Sequence, residues 1–369
     1  MQQGLFKLPP NRVRRNYRGG AGIDLLHGIE KGMDNDCPEE WIGSMVEAVN
    51  PGLSLIPGEG LSVVETLVGQ RYLRDIVDED KVFYLGEDVR PDGSWQLSFL
   101  FKILDSAMRL HVQAHPSSEF ANRVLKKPYG KLECYYILGV REGQDPYIRL
   151  GFQHAPSRWE WKRIMEEQDI SAMDACFEKI PVAVGEVWYI PGGMPHAIGE
   201  GITLLEIMEP SDLVVRCEYE REGIVVPPLA RLMGQSLDFC LDIFDYREYT
   251  VAEIRSRCNI PPKVVEETER LTKYELVGES LTGCFNVEQY LVRQKTNILH
   301  VPKFTLGVIC EGSCELQTDD ERLLLRRGDS FVIAAGIKSY NIVPYGDITS
   351  IVEVIPGKEM KKARTIHGQ

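Results

Sequence analysis

The chain has 369 residues, 43% of them hydrophobic, which permits sizeable cores and excludes a disordered protein. The formal net charge of −13 argues against a general binder of nucleic acid or of anionic membranes, so a phosphorylated ligand needs a local positive pocket. No apolar run of about 18 residues and no apolar signal core occurs, and the nine cysteines include no C-x-x-C pair. We therefore expect a cytoplasmic location, no disulfide framework, and no membrane or nucleic-acid partner, whereas the oligomeric state stays open.

Near the N-terminus lies the most basic cluster of this segment, formed by Arg14, Arg15 and Arg18. Solvated surface is the favoured interpretation of these three side chains, although Arg18 could reach a phosphate group.

Short β-like runs follow over residues 40 to 150, and one of them alternates polar and apolar side chains. In Leu110-His-Val-Gln-Ala-His-Pro116, a strand would place His111, Gln113 and His115 on one face, and Pro116 would end it. A half-exposed strand is the plain alternative for any single histidine. Three potential donors with an unbroken period of two favour a functional site.

The next strand, Lys131-Leu-Glu-Cys-Tyr-Tyr-Ile-Leu138, shows the same period. Lys131, Glu133 and Tyr135 share one face, which makes Glu133 the carboxylate expected to join the site. Residues 155 to 180 differ, because Ser157 precedes a charge-rich segment of helical character. We predict a helical insertion there that covers the mouth of a barrel.

A glycine turn, a strand and a bend then lead to a histidine. Gly185 allows a tight turn, Val187 to Ile190 form an apolar strand, and Pro191 with Gly193 turns the chain so that His196 points inward. The order G-x5-P-x-G-x2-H matches the second motif of the cupin barrels, a jelly-roll family. A loop histidine is the alternative that this spacing disfavours.

Four residues from these segments make a possible ligand set with one negative charge: Gln113, His115, Glu133 and His196. Two imidazoles, a carboxylate and an amide oxygen are compatible with zinc, without selecting it over other divalent ions.

A weaker copy of the turn–strand–bend motif occurs near the C-terminus. Gly328 to Ser339 repeats the offsets, with Ala334 in place of Pro191 and Ser339 in place of His196. This repeat predicts a second barrel without the metal ligand.

The predicted fold is mainly β, with two cupin-type jelly-roll barrels and additional helical segments. We predict three regions: an N-terminal catalytic barrel at 1–225 with the helical insertion at about 155–180, a helical and linker region at 226–285, and a degenerate C-terminal barrel at 286–369.

Five segments, in order, resemble the type I mannose-6-phosphate isomerases, also called phosphomannose isomerases: Leu104-Asp105, Val112 to Pro116, Gly130 to Glu133, Pro191 to Gly199, and Glu206 to Arg216. The resemblance implies one zinc ion on Gln113, His115, Glu133 and His196. It also implies a functional Arg216, and places Lys131 and Asp212 at positions proposed for proton transfer or substrate contact.

The implied activity is metal-dependent interconversion of mannose 6-phosphate and fructose 6-phosphate through an enediol, with Glu206 interpreted as a carboxylate that orients a histidine. His111 departs from the family, because relatives usually carry a small hydroxyl there. It could bind metal, touch sugar hydroxyls or narrow the pocket. An isomerase of another aldose or aldose phosphate, and a non-catalytic sugar-binding cupin, stay as alternatives. An iron redox cupin is disfavoured, because Gln113-Ala-His115 replaces its usual His-x-His.

Overall fold

The computed structural model of the chain describes residues 2–66, 69–90 and 92–358. The predicted N- and C-terminal regions extend to residue 1 and to 359–369, which lie outside the described residues. Strands outnumber helices, and their named sheet pairs are all antiparallel. The prediction of a mainly β fold is therefore confirmed.

Strands between residues 12 and 260 form two facing sheets. In spatial order, the strands of the larger one are Asn259–Ile260, Val187–Ile190, Glu133–Val140, Ile202–Met208, Leu100–Ser106, Glu39–Ile42 and Arg12–Val13. The strands of the smaller one are Ile180–Pro181, Tyr147–Leu150, His196–Ile198, Gln113–Ala114 and Val215–Arg216. Apolar side chains from both sheets pack into one shared core, as jelly-roll layers do.

Strands from residue 263 onwards, together with the N-terminal strand Leu5–Leu8, repeat this arrangement. The larger sheet contains Leu5–Leu8, Ser330–Ile333, Thr305–Glu311, Thr349–Pro356, Phe285–Val292, Leu271–Val277 and Lys263–Glu267. The smaller sheet contains Thr296–Leu299, Ser339–Pro344, Ser313–Gln317 and Arg322–Arg326. A separate core lies between them. Two sheet pairs with their own cores agree with the predicted pair of barrels.

Hairpins and helices complete the fold. The hairpins join Val63–Thr66 to Gly69–Tyr72 and Glu220–Arg221 to Ile224–Val225. The α-helices are Ala21–Leu26, Leu73–Glu79, Lys81–Leu85, Ser118–Phe120, Arg158–Glu167, Ile170–Ala175, Leu237–Cys240 and Val251–Cys258. A π-turn spans Ala121–Leu125, and 3₁₀ turns span Gly86–Asp88, Pro228–Ala230 and Leu241–Ile243. In the described ranges, no helix has the length and apolar character needed to cross a membrane.

Alternate side chains of the strand Glu133–Val140 face two different cores. Tyr135 and Ile137 face the core of the first sheet pair, whereas Cys134 and Tyr136 face a core shared with the second large sheet. The two large sheets therefore pack back to back, and alternate residues of one strand serve different cores.

The helical insertion forms as predicted but lies elsewhere. The Ser157 side chain caps Arg158–Glu167 in a capping box, and Trp161 and Ile164 are buried. These apolar side chains pack on the outer face of the small sheet, against Val112 and Ala114. The expectation that this segment covers the barrel mouth was wrong, because its apolar stripe binds the sheet face.

The sheets cross the predicted region boundaries. Within 226–285, the strands Lys263–Glu267 and Leu271–Val277 extend the second large sheet, where only helix and linker were expected. The N-terminal strand Leu5–Leu8 pairs with Ser330–Ile333 of that same sheet. The boundaries of the three regions stay a prediction.

The weaker copy of the turn–strand–bend motif, Gly328 to Ser339, begins with the same turn as the first motif. Gly185 and Gly328 adopt φ of 87° and 88°, each just before the second strand of its large sheet. The fourth and fifth strands correspond as well. Lys102 lies opposite Glu206 in the first large sheet, and Glu288 lies opposite Glu353 in the second. Each barrel therefore carries a pair of ionisable side chains on its fourth and fifth strands.

Candidate metal centre and active-site cavity

Short strands place the predicted ligands at one end of the first sheet pair. Gln113 and His196 are direct partners in the small sheet, and Arg216 is the partner of Gln113 on its other side. Glu133 begins its strand in the large sheet, opposite Ile190. Both walls of the barrel therefore contribute to the same end.

Three of the four predicted ligands converge tightly. Potential ligand atoms of His115, Glu133 and His196 lie within 4.8 Å of one another, and all three residues are buried. His115 Nε2 is 3.0 Å from Glu133 Oε1, and His196 Nε2 is 3.5 Å from Glu133 Oε2. The Gln113 amide nitrogen lies 3.4 Å from His196 Nε2, so a half-turn of the amide presents its oxygen to the same point.

The main chain fixes the orientation of both imidazoles. His115 Nδ1 donates to the Leu213 carbonyl at 2.9 Å, and His196 Nδ1 donates to the Met194 carbonyl at 2.9 Å. A carbonyl can only accept, so the proton is on Nδ1 and the Nε2 lone pair faces Glu133. Burial lowers the pKa of His115 to about 3, which keeps the ring neutral, as metal ligation requires.

The surroundings of Glu133 fit a bound cation. Burial favours the neutral acid, but the charge of Lys131 holds the pKa of this carboxyl well below its usual range. Lys131 Nζ is 2.9 Å from Glu133 Oε1, yet none of the contacts of that oxygen has hydrogen-bond geometry. Tyr135 donates its hydroxyl to Oε2 at 2.5 Å. A buried carboxylate oxygen without a hydrogen bond, between two imidazole lone pairs, suits zinc.

A cavity of about 480 Å³ opens beside this cluster, with walls from both sheets. Five cationic and three carboxylate side chains line it, namely Arg15, Lys102, Lys127, Lys131 and Arg216 with Glu39, Glu206 and Asp212. The cavity thus has an excess of two positive charges in a chain of net charge −13. This local excess is the positive pocket that a phosphorylated ligand requires.

Arg216 is a cavity cation that has no carboxylate partner among the described residues. Its Nη1 donates to the Ala230 carbonyl at 2.8 Å, and no carboxylate in the described ranges lies within 4.0 Å of its guanidinium. Burial, and secondarily Arg15, lower its pKa to about 10, so it stays charged at neutral pH. Asp212 lines the same cavity from a loop before the short strand Val215–Arg216.

Glu39, Lys102 and Glu206 form a buried charge ladder that the sequence did not predict. Lys102 Nζ lies 2.9 Å from Glu206 Oε2 and 3.4 Å from Glu39 Oε2, and all three residues line the cavity. Burial opposes the charge on Lys102, but Glu206 and Glu39 raise its pKa above the ordinary value. A lysine within the otherwise apolar run Leu100 to Leu104 was the available signal.

This ladder corrects the interpretation of Glu206. The carboxylate pairs with Lys102 and does not orient a histidine, because main-chain carbonyls already hold both ligand rings. Burial raises the pKa of Glu206 above that of an ordinary glutamate. It therefore belongs to the cavity wall as the ion-pair partner of Lys102.

Two further expectations concern the rim. His111 lines the cavity but lies outside the ligand cluster, and its Nε2 donates to the Ile224 carbonyl at 3.3 Å. Burial lowers the pKa of His111 to about 4, so the ring is neutral. Arg18 is exposed and does not line the cavity, whereas Arg15 does.

Comparisons with known proteins agree with this geometry. The family model described as "Phosphomannose isomerase type I, catalytic domain" matches residues 60–132, and "Mannose-6-phosphate isomerase, cupin domain" matches residues 281–353. A mannose-6-phosphate isomerase of Streptococcus mutans is 28% identical over 242 residues, which is 65% of this chain and 69% of the relative. The chain is therefore similar to the type I phosphomannose isomerases in two separate segments and to a curated relative over most of its length.

Solved structures of that family share the fold. The mannose 6-phosphate isomerase of Bacillus subtilis superposes with a TM-score of 0.69 at 21% identity, covering 95% of this chain and 99% of that one. A zinc-bound mannose 6-phosphate isomerase gives a TM-score of 0.69 at 18% identity, with 96% and 100% covered. At these identities the likeness concerns the fold.

Proposed function

We propose that the chain is a zinc-dependent isomerase that interconverts mannose 6-phosphate and fructose 6-phosphate, with the ion held by Gln113, His115, Glu133 and His196. The observation that carries the proposal is the convergence of two oriented imidazole lone pairs and a buried carboxylate beside a positively charged cavity. The cytoplasmic location belongs to the same proposal.

Aldose–ketose interconversion moves one proton between adjacent carbons and another between their oxygens, and it passes through an enediol. The site must therefore supply a base, a proton donor for oxygen, and stabilisation of developing negative charge. A zinc ion bound by the four ligands supplies a Lewis acid for a substrate oxygen. Everything else must come from the cavity walls.

Arg216 is suited to stabilise the negative charge that develops on the enediolate oxygen. Its guanidinium is directed to the cavity with only one N–H used by Ala230, and it neighbours Gln113 across the small sheet. Because it is half-buried and has no carboxylate partner within the described ranges, binding an anion offsets the cost of its charge. We assign it to stabilise the enediolate oxygen.

Several groups are candidates for proton transfer. Lys131, next to Glu133, and Asp212, on the opposite loop, are retained from the sequence analysis. The ion pair of Lys102 and Glu206 adds a third candidate, because its members are buried, in contact and face the cavity. Burial raises the pKa of Glu206 above its ordinary value, so this carboxyl is the member of the pair better suited to accept or donate a proton.

The test is turnover by the zinc-loaded protein in D2O, coupled to detection of fructose 6-phosphate. Deuterium entering C2 of recovered mannose 6-phosphate would support an enediol route with a protein base. A parallel panel of aldoses and aldose phosphates identifies the preferred substrate. Tight sugar binding without turnover of any member would instead support the non-catalytic alternative.

A further inference from the structure

Arg15 is a cavity cation that the reaction chemistry leaves without a role. Its Nε donates to Glu39 Oε2 at 2.9 Å and its Nη1 donates to Asn50 Oδ1 at 2.8 Å. The guanidinium also lies 4.8 Å from the centre of the Trp41 ring. Its Nη2 donates no hydrogen bond to any described residue, and the side chain lines the cavity. Arg15 is therefore fixed in position with one end of its fork unused.

The other four cations of the cavity are less suited to hold a substrate phosphate. Lys102 lies between two carboxylates, and Lys131 contacts the ligand cluster. Arg216 neighbours Gln113 in the small sheet, which places it at the metal end. Lys127 is exposed, and its side chain makes no hydrogen bond or ion pair with the residues described. No contact therefore fixes its ammonium group in the cavity.

Arg15 and Arg216 come from opposite walls. Arg15 follows the edge strand Arg12–Val13 of the large sheet, whereas Arg216 ends the edge strand Val215–Arg216 of the small sheet. The charge of Arg15 contributes to lowering the pKa of Arg216, so the two guanidiniums repel across the cavity. A substrate with an anion at each end, the enediolate at one and the phosphate at the other, relieves this repulsion.

We propose that Arg15 binds the phosphate group of the sugar phosphate and thereby selects phosphorylated over unphosphorylated aldoses. This assignment rests on the proposed isomerase function. Glu39, Asn50 and Trp41 are the positioning residues that hold its guanidinium. The interaction is a charge-assisted hydrogen bond to the ground-state substrate, remote from the carbons that exchange protons.

The experiment compares Arg15→Gln with the wild type, both zinc-loaded. We expect KM for mannose 6-phosphate to rise by ~10- to 100-fold, with kcat changed by no more than a few-fold, because the contact is equally strong in ground and transition states. The inhibition constant of inorganic phosphate should rise by a similar factor. Arg18→Gln is the matched control, because Arg18 is exposed outside the cavity, and its KM should equal that of the wild type.

Arg15→Lys tests the geometry, since it keeps the charge and can still contact Glu39. Its KM should fall between those of the wild type and Arg15→Gln. An unchanged KM and phosphate inhibition in Arg15→Gln would overturn the proposal, as would a loss of kcat at constant KM. If the wild type isomerised no aldose phosphate, the proposed function would fail separately. Calorimetric titration of inorganic phosphate would still decide, because binding that is equal with and without Arg15 refutes the assignment.

Discussion

Glu353 lies in the interior of the second barrel, and its carboxyl group should make the stability of the protein depend on pH. It is 1% exposed and accepts a hydrogen bond from the Tyr340 hydroxyl at 2.6 Å. Glu288 is its partner on the neighbouring strand and is paired with Lys273 at 2.8 Å, while Tyr290 donates to Glu288. Burial, to which Glu288 adds, raises the pKa of Glu353 to about 7.

Proton linkage gives the direction in which the stability of the fold changes with pH. The folded chain retains the Glu353 proton up to about pH 7, whereas an unfolded glutamate loses it near 4.5. The folded state therefore binds more protons in this window, and stability falls as pH rises from about 4.5 to about 7. At 1.36 kcal/mol per pKa unit, the ionised carboxylate costs the fold about 3 kcal/mol above pH 7.

Glu353→Gln removes the titration and keeps an acceptor for Tyr340. The free-energy difference from the wild type should shift by about 2 to 3 kcal/mol in favour of the variant between pH 5 and pH 8. Urea denaturation at both pH values measures the unfolding free energy of the variant and of the wild type. The contributions of other titrating groups cancel when one value is subtracted from the other. Glu267→Gln, on an exposed strand of the same barrel, should show no such shift. A difference that is identical at pH 5 and pH 8 would refute the reasoning.

The remaining predictions concern the first barrel. His196→Ala should lose the bound metal, measured by elemental analysis, because one of two oriented imidazole ligands is gone; full occupancy would remove His196 from the site. Ser339→Ala, the matched change at the equivalent position of the second barrel, should leave metal content unchanged, and a second ion there would contradict the repeat interpretation. Arg216→Gln should lower kcat by ~10²-fold or more in the coupled assay, whereas an unchanged kcat would exclude it from transition-state stabilisation.

Local spacing predicted the parts of the site that depend on short-range geometry. Gly185 and His196 are eleven positions apart along one turn–strand–bend path, so their relation was readable from the chain. The period of two correctly placed Tyr135 on the face of Glu133. The same offset between Gly328 and Ser339 predicted from the sequence that the second barrel repeats this path.

The charge ladder could not be predicted in this way. Glu39, Lys102 and Glu206 come from three strands separated by long stretches of chain, and only the register of the large sheet brings them together. Arg15 likewise resembles its exposed neighbour Arg18 in sequence, and its partner Asn50 lies in a distant loop. Sheet pairing over such separations leaves no local pattern.

The strand Leu5–Leu8 also bears on how the protein is made. It is synthesised before its partner Ser330–Ile333, which lies more than 300 positions later in the chain. At 5–20 residues per second, the early strand waits roughly 20–60 s for the sheet that it joins. During this time Phe6 and Leu8, which end up buried, lack the part of their core that the second barrel supplies, such as Phe304 and Val332. Synthesis of the second barrel thus completes this sheet, and a nascent chain interrupted before it would expose an unpaired strand edge to chaperones or to other nascent chains.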